Sequence, residues 1–189
     1  MIREAALLFD ARGYHAASMQ DIAEAVGIRK PTLYHYFSSK DEILFWIHEE
    51  FVELLIGRHE QRLATGLDPE ALLLGIMSDI LGLMETHRGH VRVFFEHHRE
   101  LPPDQHTAIA RKRDRYQQMA SDVIRQGVEQ GRFRPDLDVR LATLAMFGTC
   151  NWAYQWYAST GELTSEEIAG VFWRQLLDGI ATPAAGARR

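Results

Sequence analysis

Apolar residues recur at helical spacing along almost the whole chain, and this pattern predicts an all-helical protein. In each of two short runs between residues 2 and 26 they mark one buried helix face, and Gly27 follows the second run. Six longer helices are predicted over residues 41 to about 65, 69 to about 86, about 90 to 100, about 104 to 130, 138 to 157, and 164 to about 179. No alternating pattern typical of a strand and no internal repeat is visible.

The segment from Ser18 to Phe37 carries the local signals of two short helices joined by a tight turn. Asp21 follows Ser18 by three residues, the spacing of a capping box that begins a helix. Gly27 stands where that helix must end, because glycine adopts a left-handed conformation at little cost. Pro31 suits the first turn of the next helix, whose N–H groups have no intrahelical partner. This arrangement predicts a helix-turn-helix, whose second helix can lie in the major groove of DNA.

The second of these helices has an apolar inner side and a polar outer side. Leu33 and Phe37 lie four residues apart and are expected to face inward. The outer side carries hydroxyl, phenol and ammonium groups, which suit contacts to phosphates and base edges. These outer residues are Lys30, Thr32, Tyr34 and Tyr36. Aromatic residues at helical spacing also occur in ordinary helical cores, so periodicity alone leaves packing as an alternative.

A set of residues across the first 45 positions agrees in order, spacing and type with one known family. The set consists of Gly13, Tyr14, Ser18, Ile22, Ala23, Gly27, Ile28, Thr32, Leu33, Tyr34, Tyr36, Phe37, Lys40, Glu42 and Ile43. It resembles the N-terminal domain of the TetR family of bacterial transcriptional regulators. The resemblance implies operator contacts at Lys30, Pro31, Thr32, Tyr34, Tyr36 and Lys40. Ser18 and Arg29 are further candidate DNA contacts. Arg29 stands where many members carry a small capping residue such as serine, so the cap of the recognition helix is left open and Arg29 is free to reach a phosphate.

Charge is distributed so that the predicted groove-facing segment is positive. Residues 1–45 hold five Lys or Arg against six Asp or Glu, a net of −1, and the whole chain has a net charge of −5. Residues 28–40 nevertheless hold Arg29, Lys30 and Lys40 and no acid. Few phosphate contacts per subunit are therefore expected, with a shallow salt dependence of DNA binding.

Two stripes near the C-terminus combine small and large residues, which allows helices to approach closely. The stripes are Leu141, Ala145, Gly148 and Trp152, and then Ile168, Phe172, Leu176 and Gly179. Two such helices from each of two subunits would build a four-helix bundle, while packing within one subunit is the alternative. The TetR family dimerises through its last two long helices, so the resemblance implies a homodimer. Dimerisation would also match two recognition helices to half-sites ~34–36 Å, or a multiple of that distance, apart.

The resemblance further implies a pocket in the helical body for a small, largely apolar inducer. Apolar and polarizable residues suit such a pocket, and Asn151 or His98 could orient a polar group. For every candidate, ordinary core packing is the alternative. The candidate lining residues are Met77, Met84, Phe94, Phe95, His98, Tyr116, Met119, Phe147, Asn151 and Tyr154.

A second resemblance points to the class of inducer. It rests on Val123, Ile124, Gly127, Glu129, Gly131, Phe133, Arg134, Pro135, Asp136, Trp156 and Tyr157. These residues look like those of the actinobacterial members that control sterol and fatty-acid breakdown and respond to acyl-CoA thioesters. The phosphates of CoA require cations, and residues 111–115 form the strongest basic cluster of the predicted body. A solvated helix face is the alternative reading of that cluster.

Other functional classes find little support. The single cysteine, Cys150, excludes an intrachain disulfide, and no apolar run approaches the ~20 residues of a membrane span, so a soluble, cytoplasmic protein without a membrane partner is expected. His87, His90 and residues 96–98 suggest a metal site, but Gly89 interrupts their spacing. No phosphate loop, catalytic triad or pair of carboxylates indicates an enzyme, and no metal or cofactor is predicted.

Together these observations predict a helix-turn-helix domain (residues 1–45), a helical ligand-binding and dimerisation domain (46–181) and a flexible tail (182–189). The predicted function is a ligand-responsive homodimeric regulator, expected to be a repressor. It would leave a palindromic operator when an apolar molecule, such as an acyl or acyl-CoA metabolite, shifts the helix that follows residue 40. The alternatives are a helical small-molecule-binding protein whose helix-turn-helix does not bind DNA specifically, and a metal-dependent enzyme built on the histidine-rich segment.

Overall fold

The computed structural model describes residues 1–181, and these residues form nine α-helices and two 3₁₀ turns. The α-helices are α1 (Ile2–Arg12), α2 (Met19–Val26), α3 (Lys30–Tyr34), α4 (Lys40–Leu63), α5 (Pro69–Thr86), α6 (Arg88–Glu96), α7 (Pro103–Glu129), α8 (Val139–Trp152) and α9 (Ser165–Ile180). The predicted all-α fold class is confirmed. The predicted tail, residues 182–189, lies outside the described residues.

Helix ends follow the local capping signals. At the start of α9 the Thr164 hydroxyl accepts the N–H of Glu167, and the Glu167 carboxylate accepts the N–H of Thr164, at 3.2 and 2.8 Å. Two helices end earlier than predicted and continue as 3₁₀ turns, His98–Glu100 after α6 and Ala153–Gln155 after α8. Such tighter turns are common at helix ends, where the last carbonyls lack i→i+4 partners.

The chain divides into two compact units. Unit 1 consists of Met1–Leu54 and Thr86–Arg113. Unit 2 consists of Leu55–Glu85 and the described residues from Asp114 onward. Helices α4 and α7 each contribute one part to unit 1 and the other part to unit 2. These units differ from the predicted domains at residues 1–45 and 46–181, which were defined by expected function, and that division stays a prediction.

Unit 1 is built around the packing of α6 on α1. Gly89, which seemed only to interrupt a histidine pattern, is buried where the two helices meet. A Cβ atom at this position would lie 2.9 Å from the carbonyl carbon of Ala6 and from the nitrogen of Leu7. Glycine is therefore required for the close approach of α6 to the backbone of α1. An ion pair between Arg92 and Asp10, at 3.2 Å, joins the same two helices.

Unit 2 contains the residues on which the second resemblance rests, and several of them have a packing role. Phe133 is fully buried against Gly127, where any Cβ would overlap its ring. The N–H of Arg134 donates to the carbonyl of Ile180 at 2.9 Å, and Phe133 pairs with Ala181 in an isolated antiparallel bridge. This part of the motif attaches the segment after α7 to the end of α9.

Candidate nucleic-acid interface and ligand-binding region

Helix α2 is defined at both ends by short-range hydrogen bonds. The N–H of Asp21 donates to the Ser18 hydroxyl at 3.2 Å and the N–H of Ser18 to the Asp21 carboxylate at 2.8 Å, which confirms the predicted capping box. Gly27 has a φ of 77°, its N–H bonds to the carbonyl of Glu24, and the N–H of Ile28 bonds to the carbonyl of Ala23. This pair of bonds is a Schellman motif, in which the left-handed glycine ends the helix. The turn between α2 and α3 is thus set by local chemistry.

Helix α3, the candidate recognition helix, has only five residues, and tight turns through Phe37 continue it. Its inner contact is Leu33, which is fully buried. Its N-cap residue, Arg29, has an extended backbone and makes no side-chain capping hydrogen bond. A guanidinium has only N–H donors and cannot accept the free N–H groups at the start of α3, and the Arg29 side chain is exposed.

The outer side of α3 is open to solvent. Tyr34 and Tyr36 are 48% and 60% exposed, which is unusual for residues with large apolar rings. Lys30 and Thr32 are exposed beside them, and the Lys30 ammonium lies 6.0 Å from the centroid of the Tyr34 ring. His35 is exposed in the same turn. It was not predicted as an outer residue, because only hydroxyl, phenol and ammonium groups were considered for DNA contacts. The surface combines hydrogen-bond donors and acceptors with aromatic faces.

Two predicted DNA contacts already have partners within the chain. The Lys40 ammonium donates to the carbonyls of Tyr14 and Ala17 at 2.8 and 2.9 Å, and it lies 4.4 Å from the centroid of the Tyr14 ring. The Ser18 hydroxyl belongs to the capping box. Lys40 thus holds the segment between α1 and α2 on the start of α4, through carbonyls 23 to 26 residues away that the sequence does not reveal. A phosphate contact of either residue stays a prediction.

The two predicted dimerisation stripes differ in exposure. On α8, Leu141 is 60% and Trp152 is 65% exposed, and Ala145 and Gly148 between them are exposed as well. On α9, Gly179 is exposed, and Phe172 and Leu176 are half-buried. Ile168 is buried inside unit 2, so it contributes to the core of the single chain.

The ten predicted ligand-lining residues are distributed over both units. Phe94, Phe95 and His98 belong to unit 1, where the two phenylalanine rings lie 5.3 Å apart. The other seven belong to unit 2, where the rings of Tyr116 and Phe147 lie 5.6 Å apart. Members of the unit 2 group are Met77, Met84, Tyr116, Met119, Phe147, Asn151 and Tyr154.

Sequence reasoning missed a group of polar residues around Tyr116 in unit 2. His59 is fully buried, and its ring centroid lies 6.5 Å from that of Tyr116. The carboxylate of Asp79 binds the guanidinium groups of Arg62 at 2.8 Å and Arg58 at 3.6 Å. Helical spacing could have indicated His59. It follows the buried Ile56 by three residues on α4, so a polar side chain occupies a position on the buried face of that helix.

Burial keeps the imidazole of His59 and the phenol of Tyr116 uncharged. It lowers the pKa of His59, and the positive charge of Arg62 acts in the same direction. Burial also raises the pKa of the Tyr116 phenol far above its ordinary value. At neutral pH the group therefore contains a neutral imidazole, a phenol and two guanidinium groups that share one carboxylate.

Two of the four basic residues in the cluster at residues 111–115, Lys112 and Arg115, are ion-paired within the chain. Lys112 binds the carboxylates of Glu49 and Glu53; burial alone would lower the pKa of Lys112, but these two bonds outweigh it and the pKa is raised. Arg115 binds Glu60 at 2.6 Å. These pairs favour an ion-paired helix face over a rim that recognises phosphate.

Within residues 1–181, no group of three or more His, Cys, Asp or Glu residues is placed to hold a metal ion. Every helix described there is too short or too polar to span a bilayer.

An exposed polar recognition helix above a capped turn, followed by a helical body, defines a helix-turn-helix DNA-binding protein. The family model described as bacterial regulatory proteins, tetR family, matches residues 1–46, and the model described as Tetracyclin repressor-like, C-terminal domain, matches residues 66–180. The chain belongs to the TetR family of transcriptional regulators, whose members are DNA-binding proteins and not enzymes.

Three relatives illustrate the similarity. The HTH-type transcriptional repressor KstR2 of Rhodococcus jostii (strain RHA1) is 31% identical over 180 residues, which cover 95% of this chain and 88% of the relative. The structure of PfmR, a TetR family regulator from Thermus thermophilus, has a TM-score of 0.87 and 32% identity, and the match covers 100% of this chain and 98% of PfmR. The structure of AibR in complex with isovaleryl coenzyme A and operator DNA has a TM-score of 0.82 and 27% identity, with 93% and 95% covered.

Proposed function

We propose that this protein is a homodimeric transcriptional repressor that binds a palindromic operator and releases it when a small, largely apolar acyl compound binds the helical body. It would act in the cytoplasm, where the bacterial chromosome lies. The observation that carries the proposal is the exposed outer side of α3, which presents Tyr34 and Tyr36 beside a segment without acids.

The proposed DNA contacts divide into two kinds. Arg29 and Lys30, both exposed at the start of α3, are assigned to phosphates, which they would neutralise without reading sequence. Thr32, Tyr34 and Tyr36 are assigned to base edges and thymine methyl groups in the major groove. With two such cations per subunit, four phosphates would be neutralised by the dimer, and the logarithm of the affinity would fall with the logarithm of the salt concentration with a slope of about −3.6.

The dimer is proposed to form on the exposed face of α8. Leu141 and Trp152 leave large apolar surfaces in contact with water, and small residues between them allow a second helix to approach. From α9, Phe172 and Leu176 would complete the interface. Burial of this surface is favourable at roughly 25 cal/mol per Å².

An acyl inducer is supported by the relatives and by the composition of unit 2. The relatives include a regulator solved with an acyl-CoA and operator DNA, and another is named as a repressor. Ligand affinity that differs 100-fold between the DNA-binding and the released state corresponds to only ~2.7 kcal/mol. Helix α4 belongs to both units and offers a continuous element through which such a difference could act.

The test is selection of bound fragments from source genomic DNA with purified full-length protein, before and after removal of co-purified small molecules. Enrichment of a short inverted repeat that is lost on adding decanoyl-CoA would support the proposal. A folded dimer that enriches no sequence after this treatment would contradict it, and would favour a helical small-molecule-binding protein.

A further inference from the structure

Three side chains of unit 2 carry buried polar atoms that have no hydrogen-bond partner within residues 1–181. They are both ring nitrogens of His59, the phenol oxygen of Tyr116 and one terminal nitrogen of Arg62. His59 is 0% exposed and Tyr116 is 5% exposed. Buried polar groups in proteins are nearly always hydrogen-bonded, because an unpaired one loses its interaction with water and gains nothing in return. Their concentration in one place therefore calls for a common partner.

The chain holds these three groups in defined positions. His59 and Arg62 are three residues apart on α4, so they share one side of that helix. The ring of Tyr116 on α7 meets the ring of His59 edge to face, at 6.5 Å and 84°. Asp79 on α5 fixes the guanidinium of Arg62 through one of its terminal nitrogens and leaves the other without a partner.

Gly75 on α5 makes room for the side chain of Arg62. A Cβ atom at this position would lie 2.6 Å from the Cδ of Arg62, closer than non-bonded atoms can come. The arginine thus passes over α5 only because residue 75 has no side chain. The position of its guanidinium depends on two features of the same helix, Gly75 below it and Asp79 beside it.

The chemistry of the group selects an oxygen acceptor that carries a full or a partial negative charge. Arg58 and Arg62 share the single carboxylate of Asp79, and two positive charges against one leave a net charge of +1. The imidazole of His59 is neutral and offers one N–H, and the phenol of Tyr116 offers its O–H. Phe147 packs on Tyr116 and provides an apolar neighbour. Donors beside an apolar wall match a molecule that is apolar except for a head group of oxygen atoms.

We propose that His59, Arg62 and Tyr116 form the polar anchor of the inducer site and bind the head-group oxygens of an acyl compound. The oxygens would be those of a free carboxylate or of a thioester carbonyl, two sources with the same acceptor chemistry. The assignment rests on the proposed function, since it names the part of the body that recognises the inducer.

The test uses decanoate, decanoyl-CoA and decyltrimethylammonium, which share one alkyl chain but differ in their head groups. Isothermal titration of the full-length protein is expected to detect binding of one or both acyl probes, with the cationic probe at least tenfold weaker. Tyr116→Phe and His59→Phe should each lower the affinity for the acyl probes about tenfold or more. Neither variant should change the affinity for the cationic probe. Binding of decanoate alone identifies a carboxylate as the head group, and binding of decanoyl-CoA alone identifies a thioester.

Two more variants separate the anchor from general packing. Gly75→Ala displaces Arg62 without removing its charge, and it should weaken the acyl probes severalfold. Ser121→Ala on the same helix as Tyr116 removes a buried hydroxyl that already has a partner, Thr143 at 3.0 Å. It should lower thermal stability and leave acyl affinity within twofold of wild type.

Specific outcomes would overturn the anchor. Acyl probes that bind Tyr116→Phe and His59→Phe as tightly as wild type would mean that the head group lies elsewhere or that a buried water alone satisfies these atoms. If such a probe still released the operator, the proposed function would stand without the anchor. If no acyl probe binds a preparation that binds its operator, the anchor proposal is wrong. The assignment as a DNA-binding regulator would then still stand. A protein that binds the acyl probes through the anchor but no operator would overturn the proposed function alone.

Discussion

The outer side of α3 and the polar group around His59 place polar chemistry in opposite surroundings. On α3 the polar and aromatic groups are exposed, and water can satisfy them until a partner arrives. In unit 2 the imidazole and the phenol are buried without a hydrogen-bond partner. Each therefore destabilises the folded chain until a ligand or a water molecule binds it. An exposed surface of this kind can be read from helical periodicity. The buried group becomes visible only when three helices are assembled.

Removing the inner contact of α3 should have the largest effect. Leu33→Ala deletes a fully buried side chain and is expected to lower the free energy of unfolding by about 2–5 kcal/mol. Operator binding should fall with it, because α3 has only five residues and Leu33 fixes its position. Urea unfolding followed by circular dichroism measures the loss. A change below 0.5 kcal/mol, used here as a rough threshold, would contradict the packing of α3.

Acidification tests the buried histidines of unit 1. Burial lowers the pKa of His48 and of His90 to about 4. The unfolded chain, with histidine pKa values near ~6.5, then binds more protons than the folded chain as pH falls from ~6.5 to about 4. Stability is complete above this window and is lost through it, by roughly 2 kcal/mol per histidine at pH 5.

Urea unfolding at pH 7 and pH 5 checks this loss. His90→Asn should reduce the difference between the two pH values, whereas replacement of the exposed, non-titrating Gln130 by asparagine should not. An equal difference in wild type and His90→Asn would show that another group carries the pH dependence.

Truncation on the outer side of α3 should affect DNA binding and spare stability. Tyr36→Ala is expected to cost roughly 1–3 kcal/mol of operator binding if the phenol reads a base edge, with an unchanged melting temperature. Fluorescence anisotropy with the selected operator measures it, and the exposed Gln130→Ala on unit 2 is the control. Wild-type affinity in both Tyr36→Ala and Thr32→Ala would remove this side of α3 from the interface.

The cap of α2 should give the smallest effect. Ser18→Ala removes the hydroxyl that accepts the N–H of Asp21 and should destabilise the protein by about 1 kcal/mol. Ser18→Thr keeps a capping hydroxyl and should restore most of this stability. If Ser18→Ala weakens operator binding without loss of stability, the residue contacts DNA and its role as a cap is minor.

Local signals account for what could be predicted from the sequence. The capping boxes that begin at Ser18 and Thr164 each link residues only three positions apart, and Gly27 bonds to the last turn of the helix before it. Spacing along the sequence was therefore enough to identify these helix ends. The family assignment rested on the same short-range motifs and is confirmed by the matching family models.

Long-range contacts account for what could not be predicted. The carbonyls that bind Lys40 lie 23 to 26 residues away, and the backbone that requires Gly89 lies in α1. His59 meets Tyr116 only because α4 and α7 pack together in unit 2, and neither residue is marked by its neighbours in sequence. The roles of individual DNA-binding and ligand residues remain predictions that the variants above can test, and the roles of the dimerisation residues also remain predictions.

Hydroxyl-radical footprinting of the wild-type protein on the selected operator tests whether a dimer reads this DNA. A dimeric repressor should give two protected segments related by a dyad, with centres one helical turn of ~34–36 Å or a multiple of that distance apart, and both should be lost when the acyl probe is added. A single protected segment, or uniform protection that follows no sequence, would contradict a dimeric repressor that reads DNA through α3.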